Sequence, residues 1–393
     1  MLGPVPEIVR PNDLVLPFFL VVQWRITVKA FAFVRRRFPA RAATFARGGV
    51  VLSGMAIIFG FLLTFPNVVT ALNLKGSGSL IAGALSLAYL LCATGALVVS
   101  FLVDRVRKHF AHRVDPQRRH LIATAGNVLM AAPLAALAGG YVRRNDFRVR
   151  EIEVPLAGLP DGLNGLRILQ LSDIHLSAFL SEADLARVID ASNELRANLA
   201  VITGDLISTR GDPLDACIRQ LARVKIDVPM IGCLGNHERF AGAEDYCVAA
   251  SARRGIRFLR HEAQAIQLGG ATLNIAGVDY QSLEHKDEYL RGAERLIAPG
   301  ATNLLLSHNP DVFPVAARQG YNLMLAGHTH GGQVTVEILD QAVNPARFIT
   351  PYVYGLYRAG QSAAYVTRGI GTIGIPARIG AAPEITVVRL RKA

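Results

Sequence analysis

The sequence predicts an α/β layered domain, residues 147–393, behind an all-α transmembrane region, residues 1–146. Three features of the chain carry that expectation. Long uncharged apolar stretches are confined to the N-terminal third. Beyond it, short apolar runs alternate with helical patterns, and these runs end one after another in clusters of Asp, Asn and His. At 393 residues the chain has room for two folding units.

Charge follows the same division. Residues 1–150 carry 19 Lys+Arg against 5 Asp+Glu, and the remainder carries 23 against 25. The basic excess therefore belongs to the N-terminal part. The near-neutral remainder has no basic stripe interleaved with aromatics, so nucleic acid is not expected as a partner. Cys92, Cys217, Cys233 and Cys247 form no C-x-x-C pair and read as small buried hydrophobes.

Roughly 20 apolar residues cross a bilayer core. Gly48 to Phe65, extendable to Leu74 (48–74), and Gly76 to Val103 (76–103) carry no charge and meet that requirement. Leu121 to Val142 is also uncharged but rich in Ala and Gly, and reads as a third span or as a buried helix. The first stretch, about 14–34, offers Leu14 to Trp24 before Arg25 and Lys29, with Pro17 inside. It reads either as a short span with snorkelling ends or as a helix lying in the interface. The region thus holds three or four apolar helices.

Orientation comes from the loops. Arg25, Lys29, Arg35, Arg36, Arg37, Arg41 and Arg47 precede the 48–74 stretch, and Arg105, Arg107, Lys108, Arg113, Arg118 and Arg119 follow the 76–103 stretch, whereas the 74–78 turn has only Lys75. Basic loops stay cytoplasmic. A crossing by Leu121 to Val142 then delivers the second domain outside the cytoplasm, against the opposing pull of Arg143, Arg144, Arg148 and Arg150. Arg118-Arg119, directly before that segment, reads as an internal twin-arginine export signal or as a plain charge anchor.

In the second domain, Arg167 to Leu171, Leu199 to Ile202, Pro229 to Leu234, Asn303 to Leu306 and Asn322 to Leu325 read as buried strands. Ser181 with Asp184 forms a capping box before one helix, and Asp212-Pro213 opens another. Gly269-Gly270 marks a hairpin turn, and Glu384 to Leu390 alternates as a strand. Each buried strand runs into a polar cluster: Ser172-Asp173-Ile174-His175, Gly204-Asp205, Gly235-Asn236-His237-Glu238, Ser307-His308-Asn309 and Gly327-His328-Thr329-His330. Strand carboxyl ends share one edge of an α/β sheet, where such folds place ligand sites. Of seven histidines beyond residue 150, five fall in these clusters. Carboxylate, imidazole and amide oxygen without thiolate suit two divalent ions, Mn, Fe or Zn, rather than a zinc finger. Asp205 is the natural bridge, since a shared oxygen must neutralise both ions.

The order Asp-x-His, Gly-Asp, Gly-Asn-His-Glu, His, Gly-His-x-His resembles the calcineurin-like metallophosphoesterase superfamily over residues 165–390. The resemblance implies a four-layer αββα sandwich. It puts Asp173, His175 and His330 on one metal and Asn236, His308 and His328 on the other, with Asp205 bridging. His237 is left as the catalytic acid. Gly331-Gly332-Gln333, Pro376 to Arg378 and Pro383-Glu384-Ile385-Thr386 resemble a bacterial membrane-associated branch. The implied activity is hydrolysis of phosphomono- or diesters by a hydroxide that two metals activate, in a multi-pass protein of the bacterial inner membrane. Lipid or lipid-linked substrates suit an enzyme confined beside a bilayer. Gly204-Asp205-Leu206-Ile207-Ser208 lacks the extra Asp and Arg of protein Ser/Thr phosphatases, which argues against protein substrates. The alternative, a non-catalytic membrane sensor or scaffold, would be favoured by a lost ligand, and all eight positions are filled.

Overall fold

The computed structural model describes residues 11–72, 74, 77–110, 135–338 and 341–393. Contacts divide the chain into two compact units between Ala138 and Gly139.

The first unit contains helices α1 (Pro11–Arg37), α2 (Ala40–Leu62), α3 (Pro66–Ala71) and α4 (Ser77–Phe110). The expected helix over 48–74 needs correction at both ends. Its start moves back through Arg47 and Arg41 to Ala40, because Ala and Arg are strong helix formers that the search for uncharged runs excluded. Its continuation breaks at residues 63–65, where Pro66 has no N–H for the ladder and disfavours a helical Phe65. The helix expected over 76–103 is α4 and runs on to Phe110, and α1 is continuous through Pro17.

Three stretches, Leu16–Arg36, Ala40–Leu62 and Ile81–Arg105, are long and apolar enough to cross a membrane. Phe19 stacks on Phe61 with ring centroids 4.2 Å apart, and Val22, Leu90 and Ala93 complete a small core. The Tyr89 hydroxyl donates to Gln23 Oε1 at 2.8 Å, a polar tie between α1 and α4. Most of the remaining apolar surface faces outward: Phe45 is 84 % exposed and Leu52 69 %. Such a surface suits lipid far better than water. Residues 135–142 are helical; the rest of the Leu121 to Val142 segment, Arg113 and the Arg118-Arg119 pair lie outside the described residues.

The second unit is built on two six-stranded sheets. One has the order β1 (Arg148–Leu156), β14 (Glu384–Lys392), β2 (Arg167–Leu171), β3 (Leu199–Thr203), β4 (Met230–Cys233), β5 (Ile256–Phe258). The other runs β12 (Gly355–Ala359), β13 (Ser362–Val366), β9 (Leu323–Ala326), β8 (Thr302–Leu306), β7 (Ala271–Gly277), β6 (Glu262–Leu268), with a small β10–β11 ribbon (Val336–Ile338, Gln341–Val343) beside them. Strand β14 pairs parallel to β1 and antiparallel to β2.

Alternate residues of a strand face opposite ways, and here both faces are covered. Ile168, Val201, Ile231, Leu304, Leu306 and Leu325 meet in the core between the sheets. Leu169, Ala200 and Ile202 face the other way, against Leu185 and Val188 of α5 (Glu182–Glu194) and Cys217 and Ile218 of α6 (Leu214–Leu221). Leu305 and Met324 pack on Phe313 and Ala316 of α9 (Phe313–Gln319). The result is the expected helix–sheet–sheet–helix sandwich. Burial on both faces explains why its central strands read as unbroken apolar runs.

The capping box forms: Ser181 Oγ accepts from the Asp184 N–H at 3.1 Å, and Asp184 returns the bond to Ser181 N–H at 3.3 Å. Gly269 and Gly270, both at positive φ, turn the β6–β7 hairpin. All four cysteines are buried thiols.

Candidate metal centre

The carboxyl ends of β2, β3, β4, β8 and β9 carry the polar clusters to one place. Asp173 and His175 follow β2, Asp205 follows β3, and Asn236 and His237 open α7 (Asn236–Ala241) after β4. His308 follows β8, while His328 and His330 follow β9. The backbone turns hard at these points. Asp173, His175, Asp205, His328 and His330 all have φ between 48° and 75°. Non-glycine residues visit that region rarely, at a cost on the order of 1 kcal/mol or more each, and such outliers cluster at functional sites. Gly204, at φ 88°, has no alternative residue, because a Cβ there would lie 2.7 Å from both the Gly235 backbone and the His308 ring.

Seven of the eight candidate residues fall into overlapping groups, and the eighth, Asn236, directly precedes His237, whose backbone N–H donates to Asp205. In one group, His175 Nε2 lies 3.1 Å from His330 Nε2, which is 3.5 Å from Asp173 Oδ1. In the other, His308 Nε2 lies 3.0 Å from Asp205 Oδ2 and 3.1 Å from His328 Nδ1. The same Asp205 oxygen is 3.5 Å from His175 Nε2, so one carboxylate faces both groups. Ligands bound about 2.0–2.1 Å from a shared ion stand about 3 Å apart, which is the spacing of these nitrogens.

The donor set fits a pair of divalent ions on a second count. Asn236 Oδ1 is buried and has no hydrogen-bond partner among the described residues. Such an orphaned oxygen costs about 1–3 kcal/mol unless a ligand takes it.

The ring nitrogens turned away from the centre have partners of their own. His308 Nδ1 donates to the Thr203 carbonyl at 2.7 Å, leaving Nε2 for a metal, and His175 Nδ1 meets Ser208 Oγ at 3.1 Å. His237 is half-buried and sets its ring edge-on to His175, with centroids 4.8 Å apart. Its Nδ1 donates to the Ser208 carbonyl at 2.5 Å, and its backbone N–H donates to Asp205 Oδ1 at 2.9 Å. A ring nitrogen of His237 thus falls into one group with His175 and Asp205.

Burial would push the Asp205 carboxyl up, but the charges of His308, His175 and His237 outweigh it and hold the group well below the carboxylate range. Burial pushes Asp173 up to about 6. It drives His175 and His328 down to about 3 and His330 well below its ordinary value, so their lone pairs are free at neutral pH. His308 resists the same burial because Asp205 lies beside it, and it is raised to about 9.

Two supporting residues carry roles that the sequence did not assign. Glu238, fully buried, accepts backbone N–H bonds from Asp205 (3.0 Å), Leu206 (2.7 Å) and Gly235 (2.8 Å), tying the loops of Asp205 and Asn236 together. Arg378, also buried, donates to the carbonyls of His330 and Arg368 at 2.8 Å and of Gly371 at 3.0 Å, with Nη2 3.2 Å from His330 Nδ1. Both stand in segments noted in the sequence, the Gly235 cluster and the Pro376 to Arg378 motif. The bonds that link Glu238 to Asp205 and Leu206, and Arg378 to His330, join residues more than 30 apart in the chain, which no local pattern reveals.

The sequence model described as calcineurin-like phosphoesterase matches residues 166–332. The "Uncharacterized metallophosphoesterase YkuE" of Bacillus subtilis is 30 % identical over 281 residues, covering 70 % of this chain and 97 % of that protein. Phosphodiesterase YaeI of Escherichia coli is 28 % identical over 282 residues, covering 70 % and 98 %. A "Transmembrane protein with metallophosphoesterase domain" from Danio rerio is 31 % identical over 260 residues, which span 63 % of this chain and 58 % of the fish protein. With its motifs, its sandwich and its paired ligand groups, the chain belongs to the calcineurin-like phosphoesterase family.

Proposed function

We propose that the chain is a membrane-anchored phosphoesterase of a bacterial inner membrane, with its catalytic domain extracytoplasmic, cleaving phosphomono- or diesters of a lipid or lipid-linked substrate. The observation that carries the catalytic reading is the single Asp205 oxygen facing two ligand groups at 3.0 and 3.5 Å. Two divalent ions (Mn, Fe or Zn), one held by Asp173, His175 and His330, the other by Asn236, His308 and His328, with Asp205 between, would activate water and neutralise charge on the phosphoryl oxygens. His237 keeps Nε2 free while the Ser208 carbonyl fixes its ring, so it can hold a proton for the departing oxygen. Glu238 and Arg378 keep the loops of Asp205, Asn236 and His330 in place.

The phosphodiesterase relative supports a diester substrate, and the transmembrane relative supports anchoring. Confinement beside a bilayer favours a lipid phosphate, and the basic loops support the orientation. The test is the full chain in detergent, loaded with Mn, Fe or Zn, assayed on chromogenic mono- and diesters and then on lipid extracts. Turnover with none of the three metals refutes the enzyme. Alkaline phosphatase fused after residue 150 should be active, whereas a protease-protected cytoplasmic reporter there overturns the orientation. Arg118-Arg119→Lys-Lys blocks export if the pair is a signal, because lysine leaves the charge bias intact.

A further inference from the structure

Beside the metal centre lies a cavity of about 250 Å³ whose lining includes Arg239, His261, Tyr280, His285, Glu288 and Arg291. It adjoins the Asp205 group through Tyr280. The Tyr280 ring forms the shared wall, with its centroid 5.6 Å from the His328 ring and 6.0 Å from the His308 ring. Arg239 sits on α7, one helical turn beyond Asn236.

The charges in this cavity are unequal. Glu288 is taken by Arg291 at 3.2 Å, and the nearby Asp279 by Arg260 at 2.9 Å. No ion pair engages Arg239 among the described residues. His261 lies at φ 54°, in the left-handed region. An unmatched guanidinium, two imidazoles and a phenol thus surround a space one aromatic ring away from the centre. Guanidinium is the side chain best shaped to bind phosphate oxygens.

We propose that this cavity is an anion subsite for a second phosphate, so that preferred substrates carry two phosphates a few bonds apart. One sits at the dinuclear centre and the other against Arg239. The inference rests on the phosphoesterase reading for the occupant of the centre, but the subsite itself is built of protein groups and can be tested by binding.

Binding to the full chain in detergent is measured by calorimetry with two pairs of ligands. Thymidine 5′-monophosphate against thymidine 3′,5′-bisphosphate represents a nucleotide source. Phosphatidylinositol against phosphatidylinositol 4-phosphate in mixed micelles represents a lipid source. In at least one pair the bisphosphate should bind at least about tenfold tighter, the order expected of one charge-assisted hydrogen bond. The pair that shows it identifies the source. Arg239→Gln should bring that ratio to near one; the Arg239 side chain is exposed and, among the described residues, has no ion pair, so the substitution removes no contact that holds the fold. Equal binding within both pairs overturns the subsite, as does a preference that survives Arg239→Gln. The phosphoesterase reading is scored separately, by turnover of chromogenic esters in the same preparation.

Discussion

Glu238→Gln tests whether the metal loops are held by one buried carboxylate. Every partner of Glu238 is a donor: the N–H groups of Asp205 and Gly235 on Oε2, and that of Leu206 on Oε1 at 2.7 Å. An amide keeps an acceptor on the side with two donors and turns its NH₂ against the Leu206 N–H. One bond is lost and two buried donors, the Leu206 N–H and the new NH₂, are left facing each other, at about 1–3 kcal/mol or more. An opposing effect exists. Burial, reinforced by the Asp205 charge, pushes the Glu238 carboxyl above its ordinary value, so removing the charge relieves some desolvation. The stranded donors outweigh this, because a site lined only by donors fits only an acceptor. For a unit of this size, about 2 kcal/mol lowers the melting temperature by roughly 4–8 °C. The assay is differential scanning of the full chain in detergent, following the transition that rises on metal addition. Because Glu238 links the Asp205 and Asn236 loops, metal affinity should fall with the melting temperature. An unchanged transition with unchanged metal content refutes the reasoning.

Three other outcomes are expected. Asp205→Asn should cut the metal content from about two ions per chain to below about one, since one carboxylate serves both groups; elemental analysis retaining both ions removes the bridge. His237→Ala should lower turnover by about 10²–10⁴-fold with metal content near wild type, and loss of metal with the ring would make it a ligand instead. In the metal-free protein His308 is held up to about 9 by Asp205, so at neutral pH an entering ion must displace its proton. Apparent metal affinity should therefore rise by about tenfold per pH unit up to that value and level off above it. A flat calorimetric profile contradicts the pairing.

Some of this molecule is written locally and some is not. Strands β2, β3, β4, β8 and β9 could be read because both their faces are buried, which leaves runs such as Leu304, Leu305 and Leu306 ending abruptly in polar residues. The site clusters could be read for the same reason. Strand β1 could not: it lies at a sheet edge, its Arg148 and Glu151 are exposed, and only Val154 and Leu156 are buried. The anchoring work of Arg378 spans Arg368, Gly371 and His330, a set that exists only once the loops are folded. The break before Pro66 is legible in the bound at Phe65, since proline is a strong local signal, whereas the extension to Leu74 follows apolar composition across it.

The placement of β14 between β1 and β2 has a consequence for biosynthesis. The first sheet has a gap until residues 384–392 arrive, so β1 and the strands that carry Asp173 and Asp205 cannot be joined while that segment is still inside the ribosome. Strand edges left open in this way are sticky. The apolar helices α1, α2 and α4 precede all of these strands in the chain, so they are complete while the first sheet still lacks the strand that joins β1 to the rest.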